Sequence, residues 1–337
     1  MASLREIAAA VGVSIRTVNR ALKQEGYVRE ETRKQILETA QRLGYRPNLA
    51  ARALKTGQSL EVGVLVGSLD ELHMAKLAAF ERLLRAVGFA VHVFFGPRDD
   101  SNNAQADKIL HELTARRPAA AALFPNSHVP ISQAVAQFDR RGIPYVVIDP
   151  TGANADHVAI NRQQGVYEAV KFLASKGKRN IAYLGYTTDR SGDYVGGQTR
   201  LEGYERAIRE LGLPERVLAV APHVDEFAGG RDSIDMFLAT KPRPDAIQAY
   251  TDVMAAGFLT SLHDEAIRVP QEVAVVGFDD RRIAELCWPR LTTVSQANTE
   301  IGEAAARVLL DKLSGKACPP EGWSRRLSAP LVVREST

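Results

Sequence analysis

Residues 4–24 read LREIAAAVGVSIRTVNRALKQ, and the reading of this stretch organises the 337-residue chain. Leu4, Ile7, Ala8 and Val11 recur at helical spacing, Gly12 interrupts the period, and Ser14 stands where a side-chain oxygen can cap a second helix. In that second helix Val18, Ala21 and Leu22 turn inward, which leaves Ile15, Arg16, Asn19 and Arg20 facing out. A third amphipathic run, from about Glu31 to Leu43, carries Ile36, Leu37, Ala40 and Leu43 as its apolar stripe. Together the three runs suffice for a small closed core.

Helical hairpins with glycine turns often do nothing but pack, so charge has to separate a binding unit from a structural one. Residues 1–58 hold eleven Lys plus Arg against five Glu and no Asp, a net of +6, whereas the remainder holds 32 against 35, a net of −3. The whole-chain net of +3 thus hides a basic excess confined to one end, the distribution that phosphate attraction requires. Residues 1–46 are therefore expected to form a helix-turn-helix DNA-binding headpiece. In the following GYRPNLAARALKTGQS, Pro47 disfavours continuing the helix, Asn48 can cap a short helix from Leu49 to Leu54, and Gly57 with Ser59 reads as a flexible exit. That makes 47–59 a hinge helix and linker.

From Glu61 the texture changes to apolar runs alternating with amphipathic helices. The runs EVGVLVG, FAVHVFF, AAAALF and IPYVVID form one series, and NIAYLGY, VLAVAP, DAIQAY and EVAVVGFDD a second. Strand and helix in strict alternation imply an α/β architecture of two lobes, each a doubly wound parallel sheet covered on both faces. LTTVSQ, a helix over about 298–313 and a segment ending LVVREST follow.

Several function classes are disfavoured. The two cysteines, Cys287 and Cys318, lie in no metal-type spacing and the seven histidines form no ligand-spaced cluster, so no metal and no cofactor is expected. Walker, nucleophile-elbow and zincin motifs are missing, and GYTTDRSGDYVGG lacks the spacing that cradles a pyrophosphate, so an enzyme is not expected. With neither an apolar signal segment nor a run of eighteen apolar residues, the expected location is the cytoplasm, away from any membrane.

Ligands of open α/β sheets bind beyond the carboxyl ends of the strands. That placement nominates Asp279 after the run VAVVGF, whose carboxylate can accept two hydroxyls, and Arg200, whose planar fork suits paired hydroxyls or a carboxylate. The alternatives are that Asp279 or Asp280 caps the next helix and that Arg200 pairs with Glu202 or Asp193. Matching strand ends add Gln296, Asp252, Asn126 and Asp149, while Phe278 and Tyr250 could stack on a sugar or belong to the core.

LREIAAAVGVSIRTVNRAL, VREETRKQILETAQRLGYRPN and AARALKTG together resemble the headpiece and hinge helix of the lactose-repressor/galactose-repressor (LacI/GalR) family, and GKRNIAYLG, RLEGYERAI, VVGFDD, LTTVSQ and LVVREST resemble its effector-binding core. The resemblance implies a repressor that binds a palindromic double-stranded operator as a homodimer and senses a small-molecule effector, a sugar or sugar-like metabolite; a nucleobase or other non-sugar metabolite is the alternative. It places base reading on Ile15, Arg16 and Arg20; Thr17 and Asn19 are expected to hold phosphates, and Asn19, which stands where the family usually has Ser, has contact with an adenine as its alternative. In the hinge it places Asn48, Arg52, Leu54 and Lys55 on DNA, with Leu54 wedged between base steps. It also implies ligand contacts at Arg200 and Asp279, and a periplasmic-binding-protein-like core over 60–337 with discontinuous lobes, the N-lobe at about 60–160 and 292–322 and the C-lobe at about 161–291 and 323–337. The leucine heptads that tetramerise some relatives do not follow LVVREST, so a dimer is expected. Departures from the family pattern fall at SLDELHMAKL, at VAIN and at Thr251-Asp252, where ligand choice would be made.

Overall fold

A computed structural model describes residues 3–23, 27–43, 59–67, 70–96, 103–124, 131–150, 155–187, 196–221 and 224–337. The chain divides into two compact units, Met1–Leu60 and Glu61–Thr337.

The first unit holds α1 (Leu4–Val11), α2 (Ile15–Lys23) and α3 (Glu30–Arg42). Ser3 and Glu6 close a reciprocal capping box at the start of α1, and Gly12 ends it at φ 74°, a left-handed conformation that costs glycine nothing. Ser14 caps α2 by accepting the Thr17 N–H at 3.1 Å. Ile7, Ala8, Val18, Ala21, Ile36 and Ala40 form the core, with Leu4, Val11, Val13, Leu22 and Val28 packed around it. Leu37 and Leu43 are exposed, contrary to the expected stripe. Leu37 sits about 100° around the helix from Ile36, beyond a stripe only as wide as Ile36, Thr39 and Ala40, and Leu43 lies past the last helical residue. The expected hinge helix lies outside the described residues.

The second unit runs β1 (Glu61–Val66), α4 (Glu71–Ala86), β2 (Ala90–Phe95), α5 (Asn103–Ala115), β3 (Ala120–Phe124), α6 (Ile131–Arg140), β4 (Tyr145–Ile148), β5 (His157–Ile160), α7 (Arg162–Ser175), β6 (Ile181–Tyr186), α8 (Gly196–Leu211) and β7 (Val217–Val220). It continues with α9 (Glu226–Asp232), α10 (Ile234–Ala239), β8 (Ala246–Ala249), α11 (Asp252–Asp264), β9 (Ala274–Asp279), α12 (Arg282–Leu286), β10 (Thr292–Ser295), α13 (Asn298–Leu313), β11 (Arg325–Leu327) and β12 (Leu331–Val332). One six-stranded sheet has the order β11-β5-β4-β3-β1-β2 and is parallel throughout. The other, β12-β10-β9-β8-β6-β7, is parallel except for β12.

The crossings between lobes differ from the expected bounds. Thr292–Ser295 belongs to the second sheet, beside β9, and Arg325–Leu327 belongs to the first, beside β5. Both are short strands whose residues would suit either lobe; pairing partners decide, and β9 reaches β10 through α12 by a short parallel crossover. The chain therefore passes between lobes around Asn161, around Gln296–Ala297 and around Ser328–Pro330. Helix α13 returns to the first lobe and packs on α4 so closely that a Cβ on Gly302 would lie 2.2 Å from the Lys76 carbonyl oxygen. That contact fixes the turn of α4 from which Lys76 projects.

Candidate functional site

On the headpiece, Ile15, Arg16 and Arg20 are exposed, with the two arginines one helical turn apart, and Asn19 and Thr17 are half-buried. Thr17 also places its hydroxyl 2.8 Å from that of Ser14, inside the helix cap. A short α2 capped on α1 thus presents an apolar residue and two planar cations together, a set suited to the major groove. Asn48, Arg52, Leu54 and Lys55 lie outside the described residues.

In the core unit, the strand ends of both lobes converge on one buried polar chain. Asp279 closes β9, and its Oδ1 accepts from Arg200 Nη2 at 3.2 Å and from Gln296 Nε2 at 2.5 Å, while Arg281 Nε lies 3.3 Å from Oδ2. The Arg200 guanidinium is sandwiched between the rings of Tyr250 and Phe278, 4.4 and 4.2 Å from their centroids. Gln296 Oε1 in turn accepts from Lys76 Nζ at 2.9 Å. The same ammonium pairs with Asp149 Oδ2, which also accepts from Arg162 Nη2 at 2.8 Å. The line Asp149–Lys76–Gln296–Asp279–Arg200 thus runs unbroken from the first lobe to the second, and Arg162, just past the crossing at Asn161, ties its own helix back to Asp149. At the rim, Glu71 Oε1 accepts the Arg282 backbone N–H at 2.8 Å, so the lobes touch there as well.

The backbone at these strand ends is held in a costly form. Of the six non-glycine residues with left-handed φ among the described residues, Asp149, Asp279, Asp280 and Ala297 follow or end β4, β9 and β10. Each such residue costs about 1–3 kcal/mol and persists only where its surroundings impose it. Burial drives the Asp149 carboxyl toward its neutral form, but the charges of Arg162 and Lys76 outweigh burial and hold its pKa well below the usual carboxylate range. Its contribution to stability is therefore present above pH about 4, the unfolded carboxylate value, and is lost as the pH falls below it.

Asp252 lies behind this chain. Thr251, not Asp252, caps α11, and the fully buried Asp252 accepts the Thr293 hydroxyl at 2.5 Å and the Arg281 backbone N–H at 2.7 Å, tying β10 to the turn before α12. Burial first, and then the charge of Asp279, raises its pKa well above the ordinary value. A raised carboxyl destabilises the fold as the pH climbs from the unfolded value toward the folded one. Asp252→Asn keeps both contacts, because an amide oxygen can accept from Arg281 and an amide N–H can donate to Thr293. Its melting temperature is expected to exceed that of the native protein at pH 8 and to match it at pH 4; equal values at both would place the Asp252 charge elsewhere.

The structure brings Arg200, Asp279, Gln296, Asp149, Tyr250 and Phe278 to one place, with the two aromatics on the arginine. Asn126 lies outside the described residues. Asp279 does not cap α12, whose N-cap, Arg281, makes no side-chain cap bond, and Asp280 instead pairs with Arg334 at 2.8 Å. Arg200 is buried and pairs with Asp279 rather than lying exposed beside Glu202, and Asp193, the other alternative partner, lies outside the described residues. Sequence reasoning missed Lys76 and Arg162. For Lys76 a signal existed: it shares the buried face of α4 with Leu72, Ala79, Phe80 and Leu84, a position where an unpaired lysine does not belong.

A helix-turn-helix unit with an outward arginine face, on one chain with two lobes joined by a buried polar chain at their strand ends, defines the class of DNA-binding transcription regulators that carry a ligand-binding core. Comparison with known proteins makes this particular. Residues 3–48 match the lacI family of bacterial regulatory proteins, and residues 170–337 match the periplasmic binding protein-like domain. The chain is 29% identical over 313 residues to catabolite control protein A of Priestia megaterium, covering 91% of each. It is also 29% identical over 340 residues to the HTH-type transcriptional repressor PurR of Erwinia tasmaniensis, covering 100% of this chain and 97% of that protein. The crystal structure of the Lac repressor dimer bound to operator and the anti-inducer ONPF matches with a TM-score of 0.77 at 25% identity, over 99% of this chain and 98% of that one. The chain belongs to the LacI family of DNA-binding transcription regulators and is not an enzyme.

Proposed function

We propose that this regulator is a cytoplasmic repressor that binds a palindromic operator as a homodimer and responds to a sugar or sugar-like effector held between its lobes. The observation that carries the reading is the polar chain from Asp149 through Lys76 and Gln296 to Asp279 and Arg200. A ligand whose hydroxyls compete for those carboxylates changes the contacts that join the lobes, and only such a differential contact can shift an equilibrium between lobe arrangements. Tyr250 and Phe278 turn ring faces to Arg200, which disfavours a flat nucleobase and favours a polyol recognised by hydrogen bonds.

Support for the dimer comes from the second lobe, where Leu286 and Trp288 are 71% and 83% exposed beside a groove of about 360 Å³ lined by Leu259, Ile267 and Val269. A two-fold dimer also supplies two reading helices for the two halves of a palindrome. Sedimentation with a palindromic duplex should show two chains per duplex at micromolar concentration. The double variant Leu286→Ser, Trp288→Ala should sediment as a monomer and bind the duplex at least tenfold more weakly. Native protein that remains monomeric on DNA would sink the dimer.

A further inference from the structure

Helix α12 is only five residues long, and each of its ends touches something the regulator uses. At its start, Arg281 reaches into the buried polar chain, its Nε 3.3 Å from Asp279 Oδ2. At its end stands Leu286, with Trp288 just beyond, the two exposed apolar residues of the surface read above as the dimer contact. A helix leaves its first N–H groups without partners of its own, and the N-cap of α12, Arg281, makes no side-chain cap bond. The Arg282 N–H finds its acceptor in the other lobe: Glu71 Oε1, from the first turn of α4, takes it at 2.8 Å across 211 positions of chain. Resting on the dimer reading above, we propose that Glu71 is a positioning residue that couples lobe closure to dimer pairing: with the lobes together it caps α12, and the capped helix holds Leu286 and Trp288 in place for a second copy of this chain.

The other anchors of α12 come from its own lobe. Asp252 accepts the Arg281 N–H at 2.7 Å, Ala284 is buried, and the Ala284 carbonyl accepts the Leu291 N–H at 2.8 Å. These hold whether the lobes stand together or apart. What crosses to the first lobe is the Glu71 bond and, beside it, the attraction between the Asp70 carboxylate and the Arg281 guanidinium. Asp70 is itself fixed as the cap of α4, where it accepts the His73 N–H at 2.9 Å, so the two acidic residues leave α4 from a firm base.

A carboxylate at a helix start is favoured by the helix dipole as well as by the bond it accepts, and a helix of one turn depends on such outside contacts to keep its shape. Parting the lobes by about 1 Å takes the Glu71 contact past hydrogen-bond range. The clasp is therefore made in one arrangement and lost in the other, which is what a coupling between two surfaces requires. By linkage the coupling runs both ways: whatever draws the lobes together favours pairing of two chains, and pairing favours closure.

Sedimentation of the full chain over a dilution series, with and without a palindromic duplex, together with hydrogen–deuterium exchange of residues 282–288, tests this on the native protein, Glu71→Ala and Glu71→Gln. Glu71 is exposed, so neither change threatens the core. Glu71→Ala is expected to raise the dimer dissociation constant on the order of fivefold, the equivalent of one lost helix cap, and to speed exchange across 282–288 by a similar factor. Glu71→Gln removes the same charge from the first turn of α4 but keeps an oxygen for the Arg282 N–H, and is expected to stay within about twofold of native. An alanine variant that pairs as tightly as native overturns the coupling, whether or not its exchange is faster. So does a glutamine variant as weak as the alanine one, which would trace the effect to α4 itself. Native protein that stays monomeric both free and on the duplex overturns the dimer reading and the coupling with it, whereas a native dimer indifferent to Glu71 overturns the coupling alone.

Discussion

Asp279→Ala is expected to lower the melting temperature of the core unit by on the order of 10 °C and to abolish the effector response, with operator binding intact below the transition. The residue is buried and accepts from Arg200, Gln296 and Arg281. Removing it takes the Asp279 carboxylate from a buried guanidinium packed between two aromatic rings, and breaking a buried pair from one side costs about 3–5 kcal/mol. Each lost charge-assisted hydrogen bond to a ligand adds ~1.5–3 kcal/mol to the cost of effector binding. Asp279→Asn, which keeps an acceptor for Arg200, should melt between the native protein and the alanine variant. The double variant with Arg200→Ala should be less destabilised than the sum of the two single changes, since the two residues are in direct contact. An alanine variant that melts within two or three degrees of native would show that the pair does not brace the fold, and one that answers effector at native concentrations would show that Asp279 does not bind ligand.

Arg20→Ala is expected to weaken binding to the true operator by about 1–3 kcal/mol and binding to a half-site altered at its guanine much less. Arg20 and Arg16 stand exposed on a helix held by the Ser14 cap and by buried Val18 and Ala21, so the fork of each reaches outward from a fixed base. An arginine that merely neutralises phosphate lacks this selectivity. Equal weakening on every sequence, with a salt slope lower by about one, would reassign Arg20 to the backbone. Thr17, whose hydroxyl is already engaged with Ser14, should matter less to either readout.

The parts of this molecule that were legible in the sequence are those set by local period and local chemistry. Gly12 and Ser14 announced the turn of the headpiece because one ends a helix left-handed and the other caps the next. The alternation of apolar runs announced two parallel sheets, and strand ends then nominated Asp279, Arg200, Gln296 and Asp149. What was not legible depends on partners distant in the chain. Thr292–Ser295 and Arg325–Leu327 were assigned to the wrong lobes because nothing within either segment specifies which neighbour it pairs with. Tyr250 and Phe278 looked like stacking surfaces, yet both rings face Arg200, a residue tens of positions away. Lys76 escaped notice although it broke the apolar stripe of α4, since only the fold shows that Asp149 and Gln296 meet it.

The strand arrangement also bears on how the chain is made. Arg325–Leu327 pairs with His157–Ile160, whose members are synthesised some 165 residues earlier, and Leu331–Val332 covers the edge of the other sheet. Beyond them, Ser336 bonds Val275 in both directions, accepting at its carbonyl and donating from its hydroxyl. While a ribosome is still adding these residues, each lobe keeps a bare β edge, the kind of surface on which unfinished chains aggregate. Neither sheet can be completed before residues 325–332 have been added. Such non-local pairing slows folding, and the interval before closure is when this protein has most to gain from a chaperone.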